Sequence, residues 1–279
     1  MKTPLLTLMA LLLLTGSLVG QQATPPAASA SAPLTIGETF TLESTVLGET
    51  RTINVYAPPA WDEEPGTPRP VLYMPDGGIA EDFLHVAGLL QVSVGNGTMR
   101  PFLLVGIENT QRRRDLTGPT DDPEDRTIAP VVGGSAAFRA FLRAELMPLI
   151  DARYATTGET VLMGESLAGL FVVETLALEP TLFDTYIAFD PSLWWNRGHL
   201  VETARNWIPR VPGSRTLWLA HSSEETIALL TGRLGEILAQ GAPGSLTWHV
   251  EPMPDETHAT IYHPAALKAV RSLLAVGSR

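Results

Sequence analysis

Ten consecutive residues constrain this chain more than any others: Val161-Leu162-Met163-Gly164-Glu165-Ser166-Leu167-Ala168-Gly169-Leu170. A short apolar run of strand character passes directly into a stretch of helix character, with a single Ser at the turn. Small residues, Gly164 and Ala168, stand two before and two after it, where a strand and a helix must pack closely across a sharp elbow. Such an elbow lifts the Ser side chain above a sheet, and the N-terminus of the new helix favours negative charge beside it. The bare G-x-S-x-[GA] pattern occurs by chance, and its weight comes from the strand–turn–helix setting. The ordinary alternative is a Ser that caps a helix.

The rest of the chain supports such a setting. Strand patterns fall at 39–47, 51–57, 70–74, 102–107, 161–164, 186–190, 216–220 and 246–250. Runs that are apolar throughout, such as FLLVGI at 102–107, suit strands buried on both faces, as in parallel sheets. Helix-period stripes lie between them, at 135–154, 167–178, 225–238 and 264–276. The alternation predicts a mostly parallel central sheet with helices on both faces. The first two strands, close together, predict an antiparallel edge. One long irregular stretch, residues 109–134, carries Arg112, Arg113 and Arg114 and is expected to rim a cleft, because ligands lie beyond the C-terminal ends of parallel strands.

Residues 1–20 read as a signal peptide. Lys2 is the only charge before Glu38, Leu5–Leu14 is almost wholly apolar, and small residues follow. About 20 apolar residues are needed to span a bilayer, so a stable membrane anchor is not expected. Residues 21–36, rich in Ala and Pro, read as a flexible tether, and residues 37–279 as one domain. The location implied is secreted or periplasmic. The formal net charge of −11 argues against nucleic acid as a partner. No Cys is present, which excludes a disulfide framework, a thiol nucleophile and a lipid-anchored Cys. No metal or nucleotide motif stands out, so no cofactor is implied, and oligomeric state is left open.

A nucleophilic Ser needs a base and an acid, and on this kind of sheet the chain order is Ser, acid, His. Of the six His, His258 lies in the loop MPDETHAT between the last strand and the last helix, where a base belongs. His263 precedes Pro264 at a helix start, and the others sit earlier or inside a strand pattern. Glu224 and Glu225 follow the strand at 216–220, although acids in a first helical turn also simply suit the dipole. Oxyanion stabilisation needs two backbone N–H groups. Leu167, after the nucleophile, is one candidate, and Gly78, in the PDGG turn at 75–78, is the other.

These residues resemble the putative-esterase family of α/β hydrolases, which includes esterase D-like enzymes, feruloyl esterases, mycolyltransferases and siderophore esterases; the siderophore type is the most similar. The likeness runs over residues 37–279 through STVLGETRTINVYAPP, PVLYMPDGG, VGIENTQRRRDLTGP, FRAFLRAELMPLIDARY, MGESLAGLFVVETL, LFDTYIAFDPSLWWN and ETHATIYHPA. It implies an α/β-hydrolase fold and a serine esterase acting on a small-molecule ester. Ser166 and His258 are then nucleophile and base, and Glu225 is the acid, three residues after Ser222, with Glu224 second. It further implies Gly78 and Leu167 as oxyanion donors, and Arg112, Arg114, Trp194 and Trp195 near the substrate. Core packing for the tryptophans and a solvated loop for the arginines are the ordinary alternatives. The family often has His where Glu165 stands and Gly where Ala168 stands. An acyltransferase, in which a second alcohol replaces water, or an inactive binding protein on the same fold, are the competing readings.

Overall fold

A computed structural model describes residues 31–61 and 63–277. The expected signal peptide and most of the expected tether lie outside the described residues. The compact unit begins at Ile36.

Eight strands form one sheet: β1 (Glu38–Ser44), β2 (Glu49–Tyr56), β3 (Arg69–Pro75), β4 (Leu103–Ile107), β5 (Thr156–Glu165), β6 (Thr185–Phe189), β7 (Arg215–His221) and β8 (Leu246–Pro252). Their order across the sheet is β1-β2-β4-β3-β5-β6-β7-β8. The β1–β2 and β2–β4 pairs are antiparallel, and every pair from β4 to β8 is parallel. The chain crosses over after β3 and again after β4, so β3, β5 and β6 lie side by side at the centre.

The helices are α1 (Phe83–Gly95), α2 (Arg112–Asp115), α3 (Ser135–Phe141), α4 (Met147–Arg153), α5 (Leu167–Leu178), α6 (Trp195–Glu202), α7 (Ala204–Trp207), α8 (Glu225–Gly241) and α9 (Tyr262–Leu273). Side-chain alternation along the strands builds two cores, one on each face. On β5, Leu162 packs with Phe138, Phe171 and Leu234 on the α3, α5 and α8 face. Its neighbours Val161 and Met163 pack with Phe83, Leu90, Ala266 and Val270 on the α1 and α9 face. The α/β-hydrolase architecture expected from the sequence is therefore present, with its antiparallel edge. The single helix expected over 135–154 is instead α3, a π turn (Leu142–Leu146) and α4. Pro148 opens α4 without an N–H to continue the ladder, and the turn before it takes the wider pitch.

α5 has no polar stripe: every residue from Leu167 to Leu176 is buried. That composition makes it a central helix rather than a surface one. It starts directly from β5, so the Ser between them is pinned between a buried strand and a buried helix.

Candidate active site

Ser166 takes φ 60° and ψ −118°, a region that non-glycine residues rarely occupy. Its N–H donates to Phe189 O on β6 at 3.0 Å, and its carbonyl accepts from Ser192 N at 3.0 Å and Leu170 N at 2.9 Å. The tightness of the elbow is visible at Gly164, where an added Cβ would sit 2.6 Å from Cβ of Ala168. Ala at 168 is accommodated because position 164 is Gly.

His258 reaches this Ser from the loop after β8. Its Nε2 lies 3.1 Å from Ser166 Oγ, and its Nδ1 lies 2.8 Å from Asp190 Oδ2. Asp190 follows β6 directly and is fully buried. Its two oxygens also accept from Ser222 N at 2.5 Å and Ser222 Oγ at 2.7 Å. Burial alone would push this carboxyl up, but the bonds from His258 and Ser222 outweigh it and hold the group below its ordinary range. The same Asp190 bond raises the His258 imidazole, and ionised Glu165 and Glu224 add to the effect.

This geometry corrects one expectation. Glu225 does not approach His258; it is an exposed residue opening α8. Glu224 caps that helix, its side chain accepting from Ile227 N at 2.7 Å. Both obey the helix dipole, whereas Asp190 is the carboxylate aimed at the imidazole. Strands β6 and β7 are neighbours, so acids after either one converge on the same region. The sequence signal for Asp190 is the strand TYIAF running straight into Asp-Pro.

Three adjacent strands end in the same way. Asp76 after β3, Ser166 after β5 and Asp190 after β6 have φ values of 57°, 60° and 42°. Each kinks the chain sharply at the C-terminal end of its strand.

Leu167 N–H stands at the first turn of α5 beside Ser166. Gly78 N–H donates at 2.7 Å to Glu81 Oε2, and Asn109 Nδ2 donates at 2.9 Å to the other oxygen of the same carboxylate. Glu81 thus occupies the N–H that the sequence marks for an oxyanion. Glycine at 77 is required by close approach, since a Cβ there would meet the Gly106 backbone at 2.3 Å.

The arginine cluster divides. Arg112 makes a bidentate pair with Asp76, Nε at 2.7 Å and Nη2 at 2.8 Å, and its charge is close enough to act on Glu165. It stands at the edge of the Ser–His–Asp group. Arg113 donates to Ile128 O. Arg114 does not face the cleft but joins a packed ionic network: Nη2 to Glu49 at 2.7 Å and Nε to Asp115 at 2.6 Å. Fully buried Arg51 completes it, with Nη1 at 2.6 Å from Asp115 and its guanidinium over the Phe138 ring at 5.2 Å. The bond from Arg114 holds Glu49 down at about 2. Removing one member of a buried pair strands the other charge, at a cost of about 3–5 kcal/mol. Asp115→Ala is accordingly expected to lower the melting temperature by roughly 6–20 °C. A calorimetric shift below about 2 °C would show that the network is not a structural anchor.

Trp195 is buried, and its Nε1 donates to Gly118 O at 2.9 Å. Asp125 Oδ2 accepts from Asn196 N at 2.8 Å, and Arg197 Nε pairs with Asp122 at 3.0 Å. The 109–134 stretch is therefore fastened to the start of α6. Trp195 also lines a cavity of about 470 Å³ beside α5, with Leu170, Leu200 and Trp207. Trp194 is half-buried against the core. Among the described residues no group of three or more His, Asp or Glu side chains could hold a metal ion.

The sheet order, the elbow and the Ser–His–Asp arrangement define an α/β hydrolase. The chain matches the Putative esterase family over residues 44–262 and belongs to it. It is 28% identical over 178 residues to the ferri-bacillibactin esterase BesA of Bacillus subtilis, covering 57% of this chain and 60% of that protein. It is 31% identical over 195 residues to the siderophore triacetylfusarinine C esterase of Aspergillus fumigatus, covering 63% and 62%. The chain thus spans about three fifths of the length of these two curated relatives. Among solved structures, an IroE-like serine hydrolase from Shewanella oneidensis superposes with a TM-score of 0.76 at 28% identity, covering 85% of this chain and 80% of that one.

Proposed function

We propose that this protein is an exported serine esterase that cleaves carboxylic esters of the siderophore type, with Ser166 as nucleophile, His258 as base and Asp190 as the orienting acid. The observation that carries this reading is the unbroken path Ser166 Oγ–His258 Nε2 at 3.1 Å and His258 Nδ1–Asp190 Oδ2 at 2.8 Å. Supporting it is the family membership, together with relatives named as siderophore esterases. Export rests on the sequence alone, on Lys2 and the apolar run that follows.

In the proposed cycle, Ser166 Oγ attacks the ester carbonyl carbon as its proton passes to His258 Nε2. Asp190, accepting from Nδ1–H, fixes the tautomer that leaves Nε2 free and stabilises the imidazolium. The carbonyl oxygen becomes an oxyanion held by Leu167 N–H and Gly78 N–H. The Glu81 carboxylate must leave Gly78 for that second bond to form. His258 then returns the proton to the departing alkoxide. Water, activated by the same imidazole, attacks the acyl enzyme and releases the acid, restoring Ser166.

A hydrolysis panel tests the substrate class. A catecholate trilactone, iron-free and iron-loaded, a hydroxamate ester siderophore, a cinnamoyl ester and p-nitrophenyl acetate are compared by kcat/KM, with products identified by mass. The expected order puts at least one siderophore ester above the simple acyl esters by about 10²-fold or more, because remote binding energy is realised in the transition state. Equal rates on all five would set the siderophore assignment aside.

A further inference from the structure

His258 Nδ1 faces two carboxylates. Asp190 holds the short bond, and Glu165 Oε1 lies 3.4 Å from the same nitrogen. That separation and the prior claim of Asp190 on the Nδ1 proton leave Glu165 without a proper hydrogen bond. Its Oε1 is buried and accepts none from any described residue. Glu165 is the last residue of β5, next to the nucleophile in sequence, so its backbone is as firmly held as that of Ser166.

We propose that Glu165 is a positioning residue that acts through His258: its carboxylate, fixed on the Nδ1 side of the imidazole, sets the pH at which the base becomes available. This rests on the reading of His258 as the base.

The electrostatics run in one direction. Burial raises Glu165 to about 7, against the pull of His258 and Arg112 and with the push of Asp190 and Asp76. His258 is faced by Asp190 from the end of β6, by Glu165 from β5 and by Glu224 from the start of α8. A carboxylate within about 4–6 Å of an imidazole typically raises its pKa by about 1–3 units. Ionised Glu165 therefore stabilises the imidazolium and delays loss of its proton to higher pH. Because the carboxylate and the imidazole stand 3.4 Å apart and act on each other, the pair should lose its protons in two coupled steps. At low pH the neutral Glu165 releases His258, and above neutrality the ionised form strengthens it as a proton acceptor.

NMR titration of the His258 ring is the direct test, on the wild-type protein, Glu165→Gln and Glu165→Asp. Gln keeps the size of the side chain and removes its charge; Asp keeps the charge. The expected result is a broad, coupled titration in the wild type and a single transition about one pH unit lower in Glu165→Gln, with Glu165→Asp returning part of the difference. In parallel, the acidic limb of kcat/KM on a neutral p-nitrophenyl ester should move down by the same amount in Glu165→Gln. At one unit below the wild-type midpoint that makes the variant about fivefold faster relative to its own plateau. An unmoved His258 midpoint, even with lower turnover at every pH, would reduce Glu165 to a packing residue and overturn the proposal. A shifted midpoint with an unshifted rate profile would overturn it through the base assignment instead, since His258 would then titrate without limiting the reaction.

Discussion

Ser166→Ala is expected to lower ester hydrolysis by about 10⁴–10⁶-fold while leaving the fold unchanged. The loss follows from removing the oxygen that, among the described residues, is bonded to His258 Nε2; Ser192 Oγ lies 3.4 Å from Ser166 Oγ and is not bonded to the imidazole. The fold should survive because the elbow is held by backbone bonds, Ser166 N to Phe189 O and Ser192 N to Ser166 O. Alanine also meets the positive φ at the same steric cost as serine. Binding and backbone N–H groups would leave some rate above the uncatalysed reaction. Burst and steady-state release of p-nitrophenol, with circular dichroism as control, measure the effect. A rate within tenfold of wild type would place the nucleophile elsewhere.

The second large effect concerns the acid. Asp190→Asn is expected to reduce kcat by about 10³–10⁴-fold. The amide can still accept from Ser222 N, so the turn persists, and Asn tolerates the positive φ of 42°. What changes is the partner of Nδ1. The amide NH₂ would face the imidazole N–H, and the ring would escape by placing its proton on Nε2, which then cannot accept from Ser166. Glu225→Gln, on an exposed side chain away from the imidazole, is expected to change kcat less than twofold. If the two variants exchanged places in that ranking, the acid would belong after β7 as the sequence suggested.

All eight strands and the elbow could be located in the sequence because each depends on local pattern. Apolar runs such as FLLVGI and VLMG declare burial on both faces, and α5 follows the second almost at once. His258 stands out in the sequence because it lies in the loop between the last strand and helix, and its Nε2 does come within 3.1 Å of Ser166 Oγ. The acid could not be separated in the same way. Chain order permits an acid after β6 or after β7, and both strand ends point at one place; only the three-dimensional position of His258 distinguishes Asp190 from Glu224 and Glu225. The arginines illustrate the same difficulty. Arg114 reads as exposed charge, yet its partners Glu49 and Asp115 come from β2 and α2, and the ion-pair network they form with Arg51 has no local signature. Glu81 at Gly78 was equally hidden, because a carboxylate three residues past a glycine turn is unremarkable until the turn folds back on it.

The repeated kink at the ends of β3, β5 and β6 carries a consequence for improving such a protein in the laboratory. Backbone held in sparsely populated regions costs of the order of 1–3 kcal/mol per residue. Glycine would relieve that strain at Ser166, whereas at Asp76 and Asp190 it would also strip Arg112, Ser222 and His258 of a bonded carboxylate, a larger loss than the strain recovered. Selection for heat resistance alone would drift toward glycine at position 166, producing a hardier chain without the proposed nucleophile. Screening for robustness in this scaffold has to be coupled to turnover, or the most successful survivors will be inert.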